Sequence, residues 1–130
     1  MTHKKTANLT GIAPVFLVRE MEKNISFWQE QVGFAVERYG EPTQFAILIR
    51  GNSTIMLSLT SADAKLVANW KIHEKAWDAF IWVDDAKAMY EEVIERGAPI
   101  DWELYEAPWG GLEFGIQDPE GRDIAIGQIL

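Results

Sequence analysis

The residues of this chain that could do chemistry are carboxylates and aromatic rings. The chain has no cysteine and two histidines, His3 and His73. The sequence therefore excludes disulfides, thiol nucleophiles and thiolate metal sites. Asp101, Glu103 and Glu106 could supply a carboxylate pair for general acid–base catalysis, but with 20 acidic residues among 130 such pairs often arise by chance. No phosphate-binding glycine loop or serine with a nearby histidine is visible either, so the sequence favours binding over bond-making chemistry.

Trp109 is the most distinctive aromatic residue, because its neighbours predict an irregular loop. It lies in Ala107-Pro108-Trp109-Gly110-Gly111. The proline restricts the backbone before the indole, and the two glycines permit a tight reversal after it. A tryptophan in such a loop either covers the hydrophobic core or stacks on a ligand. Composition alone leaves both interpretations open.

The charge balance limits the classes of partner. Twelve basic and 20 acidic residues give a formal net charge of -8, which argues against nucleic acid and suits a cationic partner. Apolar runs such as residues 45–49 are far too short to span a membrane, and no long apolar stretch follows Lys4 and Lys5 as a targeting signal would require. We expect a cytoplasmic protein with no membrane partner.

Hydrophobic periodicity predicts that the first half is a strand, a helix and three more strands. Met21, Ile25, Trp28 and Val32 recur at spacings of four, three and four, which is one stripe of a helix. Gly33 follows where a helix-ending glycine belongs. The predicted strands cover residues 14–18, 34–39, 45–50 and 54–60, with a hairpin connection at Gly51-Asn52-Ser53.

The second half repeats this pattern after a polar connector, residues 61–77. Asp84 and Asp85 can cap a helix whose stripe is Met89, Tyr90, Val93 and Ile94. We predict an α+β fold in a single domain, 1–130, with two tandem βαβββ modules at 12–60 and 78–130. Joined side by side or through a dimer, they would form a curved mixed sheet with helices outside. A tandem ferredoxin-like fold without a shared cavity is the alternative. The predicted strands of this half cover residues 79–83, 100–105, 112–117 and 124–129.

Strand alternation separates a bulky aliphatic face from a second face that could form a cleft. The second face combines the small residues Ser58, Ala125 and Gly127 with the aromatic residues Phe80 and Trp82. Small side chains leave space on a sheet, and aromatic walls suit a planar ligand. Filling of the core is the alternative for each aromatic residue alone. The sequence assigns the other tryptophans elsewhere: Trp28 to the helix stripe, Trp70 and Trp77 to the connector, and Trp102, with Ile100 and Leu104, to the core.

Several motifs together resemble the glyoxalase/bleomycin-resistance group, the vicinal oxygen chelate superfamily, whose members are built from paired βαβββ modules. The resemblance covers the chain from about Ala13 to Gly127. The Pro-Val of the first strand, the Phe-Trp pair and the Pro-Trp-Gly loop look specifically like those of bleomycin-binding resistance proteins. The motifs are Pro14-Val15, Ile25-Ser26-Phe27-Trp28, Gly33-Phe34, Pro108-Trp109-Gly110 and the run Phe114-Gly115-Ile116-Gln117-Asp118-Pro119-Glu120-Gly121.

The resemblance also implies where a metal would be held in the enzymes of the superfamily. They use one His, Gln or Glu from each of four strand positions, which fall here at Ala13, Ser58, Asp78 and Ala125. Asp78 alone offers a carboxylate, whereas a stable site needs several ligands. The departure implies no metal, no other cofactor and no catalytic residue. It leaves the metal-free cleft by which the bleomycin-binding branch sequesters a drug.

In that branch the resemblance implies a homodimer with two clefts at the subunit interface, and a domain swap of the N-terminal strand near Pro14. The ligand would be a small, cationic, aromatic antibiotic, and binding it would confer resistance. The resemblance implies that Trp109 stacks on the ligand, that Phe45, Phe80 and Trp82 form an apolar wall, and that Ser58 offers a hydrogen bond. It also implies that Glu37, with Tyr39 nearby, faces the cationic tail of the ligand. Arg38 and Tyr39 depart from the aromatic residue that the family has beside this position.

Two other functions stay open at this point. One is a metal-dependent enzyme of the same superfamily, such as a glyoxalase-like lyase or a dioxygenase, with the atypical ligands Asp78 and Glu103 or Glu113. The other is a protein whose cleft is vestigial and filled by its own side chains, serving in a complex or as a regulator.

Overall fold

The first half of the chain forms a four-stranded sheet in a computed structural model that describes residues 4–130; His3 lies outside the described residues. Its strand order is β1-β4-β3-β2, with β1 parallel to β4 and the other pairs antiparallel. The helix after β1 carries the chain back, so β2 runs in the same direction as β1. Two antiparallel connections, through β3, then bring β4 parallel to β1. The strands are β1 (Val15–Val18), β2 (Ala35–Tyr39), β3 (Phe45–Arg50) and β4 (Ser53–Leu59).

The second half builds the same sheet again, in the order β5-β8-β7-β6. The predicted α+β class and the strand–helix–three-strand repeat are confirmed. Among residues 4–130, however, the strands form two four-stranded mixed sheets and are not hydrogen-bonded into one sheet of eight. The strands are β5 (Ala79–Trp82), β6 (Ile100–Ala107), β7 (Gly111–Gln117) and β8 (Asp123–Ile129).

Helices cover one face of each sheet. The first helix runs as α1 (Met21–Ser26) and continues as a π-helical segment (Phe27–Gln31), with the predicted stripe Met21, Ile25, Trp28 and Val32 buried. Gly33 then takes a φ of 79°, which a glycine adopts without steric cost. The connector contains a short helix, α2 (Asn69–Ile72).

The third helix, α3 (Ala86–Glu95), begins as the sequence predicts. The Asp85 carboxylate accepts a hydrogen bond from the backbone N–H of Ala88 at 3.0 Å. Met89 and Val93 are buried, whereas Ile94 is exposed because it lies one residue beyond the buried face. No helix among residues 4–130 is long and apolar enough to cross a membrane.

A single hydrophobic core joins both halves. It takes alternate residues from the helix-covered face of each sheet and the buried stripes of α1 and α3. Burial of this apolar surface supplies most of the driving force that holds the halves together. Its fully buried side chains include Val18, Trp28, Leu48, Leu57, Val93, Phe114, Ile116, Ile124 and Ile126.

Arg122 is buried where the two halves meet. Its guanidinium lies 4.7 Å from the centre of the Phe16 ring, donates to the carbonyl of Leu17, and pairs with Asp118 at 3.3 Å. The Asp118 carboxylate also accepts the backbone N–H groups of Glu120 and Arg122. Burial raises the pKa of Asp118, and Arg122 opposes that rise. Arg122 therefore pairs with the buried Asp118 of its own half and connects this part of the second half to β1 of the first.

Candidate functional site

The uncovered face of the second sheet carries a cluster of aromatic rings. Phe80 and Trp82 project from β5 beside the small residues Ala125 and Gly127 of β8, as the predicted alternation requires. Ring centres of Phe80 and Trp82 are 4.3 Å apart. Trp109 meets both rings edge-on, at 6.2 Å from Phe80 and 5.6 Å from Trp82. We call Phe80, Trp82 and Trp109 the aromatic cluster.

Trp77 is a further member of this face that the sequence assigned only to the connector. Its ring centre lies 5.4 Å from that of Phe80. Trp77 immediately precedes Asp78, whose backbone N–H donates to the Asp123 carbonyl. This hydrogen bond extends the pairing of β5 with β8 to the residue next to Trp77. Alternation gives no signal for this placement, because Trp77 is an odd number of residues before Phe80 and lies outside β5, which begins at Ala79.

Glycines provide the surface on which these rings lie. A Cβ atom added to Gly127 would stand 2.6 Å from the Phe80 ring, and one added to Gly111 would stand 2.2 Å from the ring of Trp109. Contacts that close do not occur between real carbon atoms, so only glycine fits beneath each ring. Part of the predicted cleft is therefore occupied by the chain's own side chains.

Trp102 lies on this same face, so the prediction that it packs in the core with Ile100 and Leu104 is wrong. A Cβ on Gly115 would come within 2.1 Å of its ring. Pairing between β6 and β7 slips on both sides of Trp102. Such irregularities turn a side chain to the opposite face. Ile100 and Leu104 do pack against the core, as predicted.

Four predicted ligand residues lie on the uncovered face of the first sheet. Cross-strand pairing puts Leu17, Ser58, Phe45 and Tyr39 in one transverse row. The rings of Tyr39 and Phe45 are 6.2 Å apart. Glu37 projects from the next row on the same face, because it is two residues from Tyr39 along β2.

The structure thus brings the predicted ligand residues together as two groups, one on each sheet. Phe80, Trp82 and Trp109 are in mutual contact, but among residues 4–130 no aromatic contact joins them to Tyr39 and Phe45. Both groups belong to sheet faces that no helix of the described chain, residues 4–130, covers. Each surface exposes large hydrophobic side chains, including Val15, Leu17, Tyr39, Ile49, Trp82, Tyr105 and Trp109.

Glu113 is a buried carboxylate on the second sheet that the sequence considered only as an atypical metal ligand. Its side chain accepts a hydrogen bond from the Tyr105 hydroxyl at 3.2 Å, and the residue is 2% exposed. Burial, with the neighbouring Glu113 carboxylate, raises the pKa of Tyr105, so the phenol keeps its proton at neutral pH. The signal in the sequence was a charged residue alternating with Gly111 and Gly115 in an apolar strand.

Acidic residues also meet at the start of β8. Burial, followed by a hydrogen bond with Asp101, raises the pKa of Asp123 to about 6, and the charge of Asp78 adds to the effect. Asp123 also accepts a hydrogen bond from Gln117 at 3.2 Å. This corner of the face gains negative charge as pH rises through that value.

The residues present do not fit the four-ligand metal site of the superfamily enzymes. Ala13 and Ala125 carry methyl groups, and Ala125 is fully buried beside Phe80. Ser58 faces Leu17 and Phe45 on the first sheet. Within residues 4–130, no group of three or more His, Asp or Glu side chains is placed to hold a metal ion.

Comparison with known proteins gives a family-level match over nearly the whole chain. The model of the Glyoxalase/Bleomycin resistance protein/Dioxygenase superfamily matches residues 11–126. Comparison with curated protein sequences gives no significant match.

Solved structures with the same fold include both binding proteins and enzymes. A bleomycin-binding protein from Streptomyces verticillus, complexed with copper(II)-bleomycin, is 24% identical, with a TM-score of 0.67 over 95% of this chain and 98% of that one. TioX from Micromonospora sp. ML1 is 18% identical, with a TM-score of 0.73 over 92% and 98%. A lactoylglutathione lyase from Agrobacterium tumefaciens is 18% identical, with a TM-score of 0.64 over 96% of each chain. At these identities the likeness concerns the fold.

Proposed function

Because the chain belongs to the glyoxalase/bleomycin resistance protein/dioxygenase superfamily, we propose that it is a non-catalytic protein that sequesters a cationic aromatic antibiotic. The observation that carries the proposal is the aromatic cluster. Trp82 and Trp109 are exposed, and Phe80 and Trp109 lie against glycines on a sheet face that no helix among residues 4–130 covers. Planar rings stack on such surfaces. The bleomycin-binding protein of Streptomyces verticillus supports a ligand of this class.

Charge supports a cationic ligand. The chain has a net charge of -8, and Glu113 and Asp123 lie on the same face as the rings. An aromatic ring attracts a cation over its face by about 0.5–2 kcal/mol. The negative field adds to the association rate and weakens as salt is added.

The absence of catalysis is proposed from residue types. Two of the four superfamily ligand positions are alanines, which cannot ligate a metal. Stoichiometric Mn, Ni, Zn or Fe in the purified protein would contradict this part of the proposal and favour the superfamily's enzymes.

A homodimer would complete the cleft, because the proposed ligand residues are divided between two uncovered faces. Placing the first sheet of one protomer against the second sheet of its partner, with the segment near Pro14 exchanged, would cover the exposed Leu17 and Trp82. We expect light scattering to give about twice the chain mass of 14.8 kDa, and Leu17→Glu to shift the protein toward the monomer. A wild-type monomer at micromolar concentration would contradict the dimer.

Loss of the Trp109 indole should weaken ligand binding. In a titration with bleomycin, phleomycin and mitomycin, at least one drug should quench wild-type tryptophan emission with a stoichiometric endpoint. Trp109→Ala should raise the dissociation constant for that drug by roughly 3- to 30-fold, the value of one aromatic stacking or cation–π contact.

Trp70→Ala is the matched control for this titration. Trp70 is 38% exposed and Trp109 45% exposed, but Trp70 lies on α2 and donates to the Gly121 carbonyl. Its replacement should leave the dissociation constant unchanged. Failure of every drug in the panel to quench would count against sequestration.

One observation favours a second candidate, a vestigial cleft in a protein that serves as a regulator or in a complex. The rings of Phe80, Trp102 and Trp109 already lie against the glycines of the second sheet. Wild-type emission that no drug changes, in a protein that is folded and dimeric, would support this candidate over sequestration.

A further inference from the structure

Glu113 lies at the centre of the aromatic face. Along β7 it is flanked by Gly111 and Gly115, and it is paired across the sheet with Gly127 on one side and Tyr105 on the other. The side chains of Glu113 and Tyr105 project toward the uncovered face, and the three glycines leave room on it.

Aromatic rings surround this carboxylate. The three neighbouring glycines are each covered by a ring: Gly111 by Trp109, Gly115 by Trp102 and Gly127 by Phe80. Tyr105 supplies the fourth ring and the hydrogen bond to Glu113. The result is an acid enclosed by four aromatic side chains and 2% exposed.

Two other acids with buried carboxylates, Glu120 and Asp118, are paired with arginines, whereas Glu113 is not. Arg19 pairs with Glu120 at 2.9 Å and Arg122 with Asp118 at 3.3 Å. Within residues 4–130, no Lys, Arg or His nitrogen lies within 4.0 Å of Glu113. A buried charge without a counter-charge is costly, and the negative faces of aromatic rings do not compensate it.

A cation would reverse this unfavourable balance. It would pair with the Glu113 carboxylate and at the same time be attracted by the surrounding ring faces. Trp109 offers a path to the carboxylate, because its ring lies on Gly111 and it is carried by an exposed turn in which Gly110 has a φ of 93°. Movement of that turn would uncover Glu113 from one side.

We propose that Glu113 is the charge-selecting residue of the site, and that the ligand class is a planar aromatic monocation whose positive centre pairs with Glu113 within the ring of Trp102, Trp109, Phe80 and Tyr105. This inference rests on the proposed binding function and deepens it. Stacking fixes the planar part of the ligand, and Glu113 distinguishes a cation from a neutral molecule of the same shape.

The test is a calorimetric titration with two probes of matched shape. N-methylquinolinium carries a fixed positive charge, and quinoline is uncharged at neutral pH. Wild-type protein should bind the cation at least about tenfold more tightly than quinoline, as expected for a charged group paired in a desolvated site. Glu113→Gln should remove most of that preference, because the affinity for N-methylquinolinium should fall while the affinity for quinoline stays unchanged.

Glu103→Gln is the matched control, because Glu103 is an exposed acid of β6 near the same sheet. It removes the same charge without touching the enclosed position, so the preference for the cation should persist. Quinoline binding reports whether each variant retains the site. The wild-type preference is itself a measurement that requires no variant to fold.

Equal wild-type affinity for the two probes, or no binding of either, would overturn the inference. An equal loss of cation binding in Glu103→Gln and Glu113→Gln would also overturn it, because the overall negative charge of the protein would then explain the preference for the cation. Sequestration is judged separately on the antibiotic panel. If an antibiotic quenches emission equally in wild type and Glu113→Gln, only this inference is removed. If the cationic probe binds in a way that depends on Glu113 but no antibiotic binds, only the proposed function is removed.

Discussion

Arg122→Met should lower the free energy of unfolding by about 3–5 kcal/mol, because it leaves the Asp118 carboxylate buried without its guanidinium. Methionine retains the apolar contact with Phe16, so the loss reports mainly the charge and the hydrogen bond to the Leu17 carbonyl. Denaturant unfolding would measure it directly. The thermal midpoint should fall by roughly 10–20 °C.

The cost should also increase with pH. Burial already raises the pKa of Asp118, and loss of Arg122 raises it further. A carboxyl whose pKa is higher in the folded state destabilises that state once it must ionise, so its contribution worsens as pH rises through the folded value. The variant should therefore be closer to wild type in acid than at neutral pH.

Arg38→Met provides the matched control. Arg38 contacts both carboxylate oxygens of Glu22 at 2.6 Å, but the side chains are 43% and 68% exposed. Exposed pairs contribute about 1 kcal/mol or less. Similar losses in the two variants would show that burial of Asp118 does not determine the role of Arg122.

Gly115→Ala should destabilise the second sheet by about 1–3 kcal/mol and disrupt the aromatic face. The new methyl group would meet three ring atoms of Trp102 at 2.1–2.3 Å. Gly115 is on a central strand paired with both β6 and β8, so its backbone has little freedom to move away. The indole of Trp102 must leave instead, which should appear as lower stability in denaturant and weaker ligand binding.

A second substitution tests whether the ring causes the effect. In a Trp102→Leu background, Gly115→Ala should cost much less, giving a coupling free energy of about 0.5–3 kcal/mol between the two positions. Gly11→Ala, where nothing lies within 4 Å of the added carbon, should change stability by about 0.5 kcal/mol or less. Additive losses at positions 115 and 102 would contradict the proposed steric conflict.

The order of elements could be predicted from the sequence because its local signals agree. The stripe Met21, Ile25, Trp28 and Val32 is buried as its spacing requires, and Gly33 ends the helix with a positive φ. Alternation placed Phe80 and Trp82 on the face opposite Ile81. These features depend on residues close in sequence.

Long-range features could not be predicted in the same way. Trp102 alternates with Ile100 in the sequence, but slipped pairing with β7 reverses its face. Periodicity contains no information about a partner strand's register. Phe45 and Phe80 lie on separate sheets because each half closes its own sheet, and periodicity likewise does not show whether strands of the two halves will pair.

The candidate site was predicted in part. Face assignments for Ser58, Phe80 and Trp82 match the observed register, while their role in binding a ligand stays a prediction. The role proposed for Glu113 could not be predicted from the sequence, because it depends on Tyr105 and three covered glycines meeting around the carboxylate.

The closure of each sheet within its own half also determines the order in which the molecule can fold. The parallel pairing of β1 with β4 is complete within residues 15–59, so no strand pairing of the first sheet requires the second half of the chain. By contrast, Arg19 and Leu17 bond to residues 101 and 105 positions away. Contacts that distant form late, because closing a long loop costs entropy. During synthesis the first half can close its sheet well before the junction exists, and docking waits until Arg122 has left the ribosome.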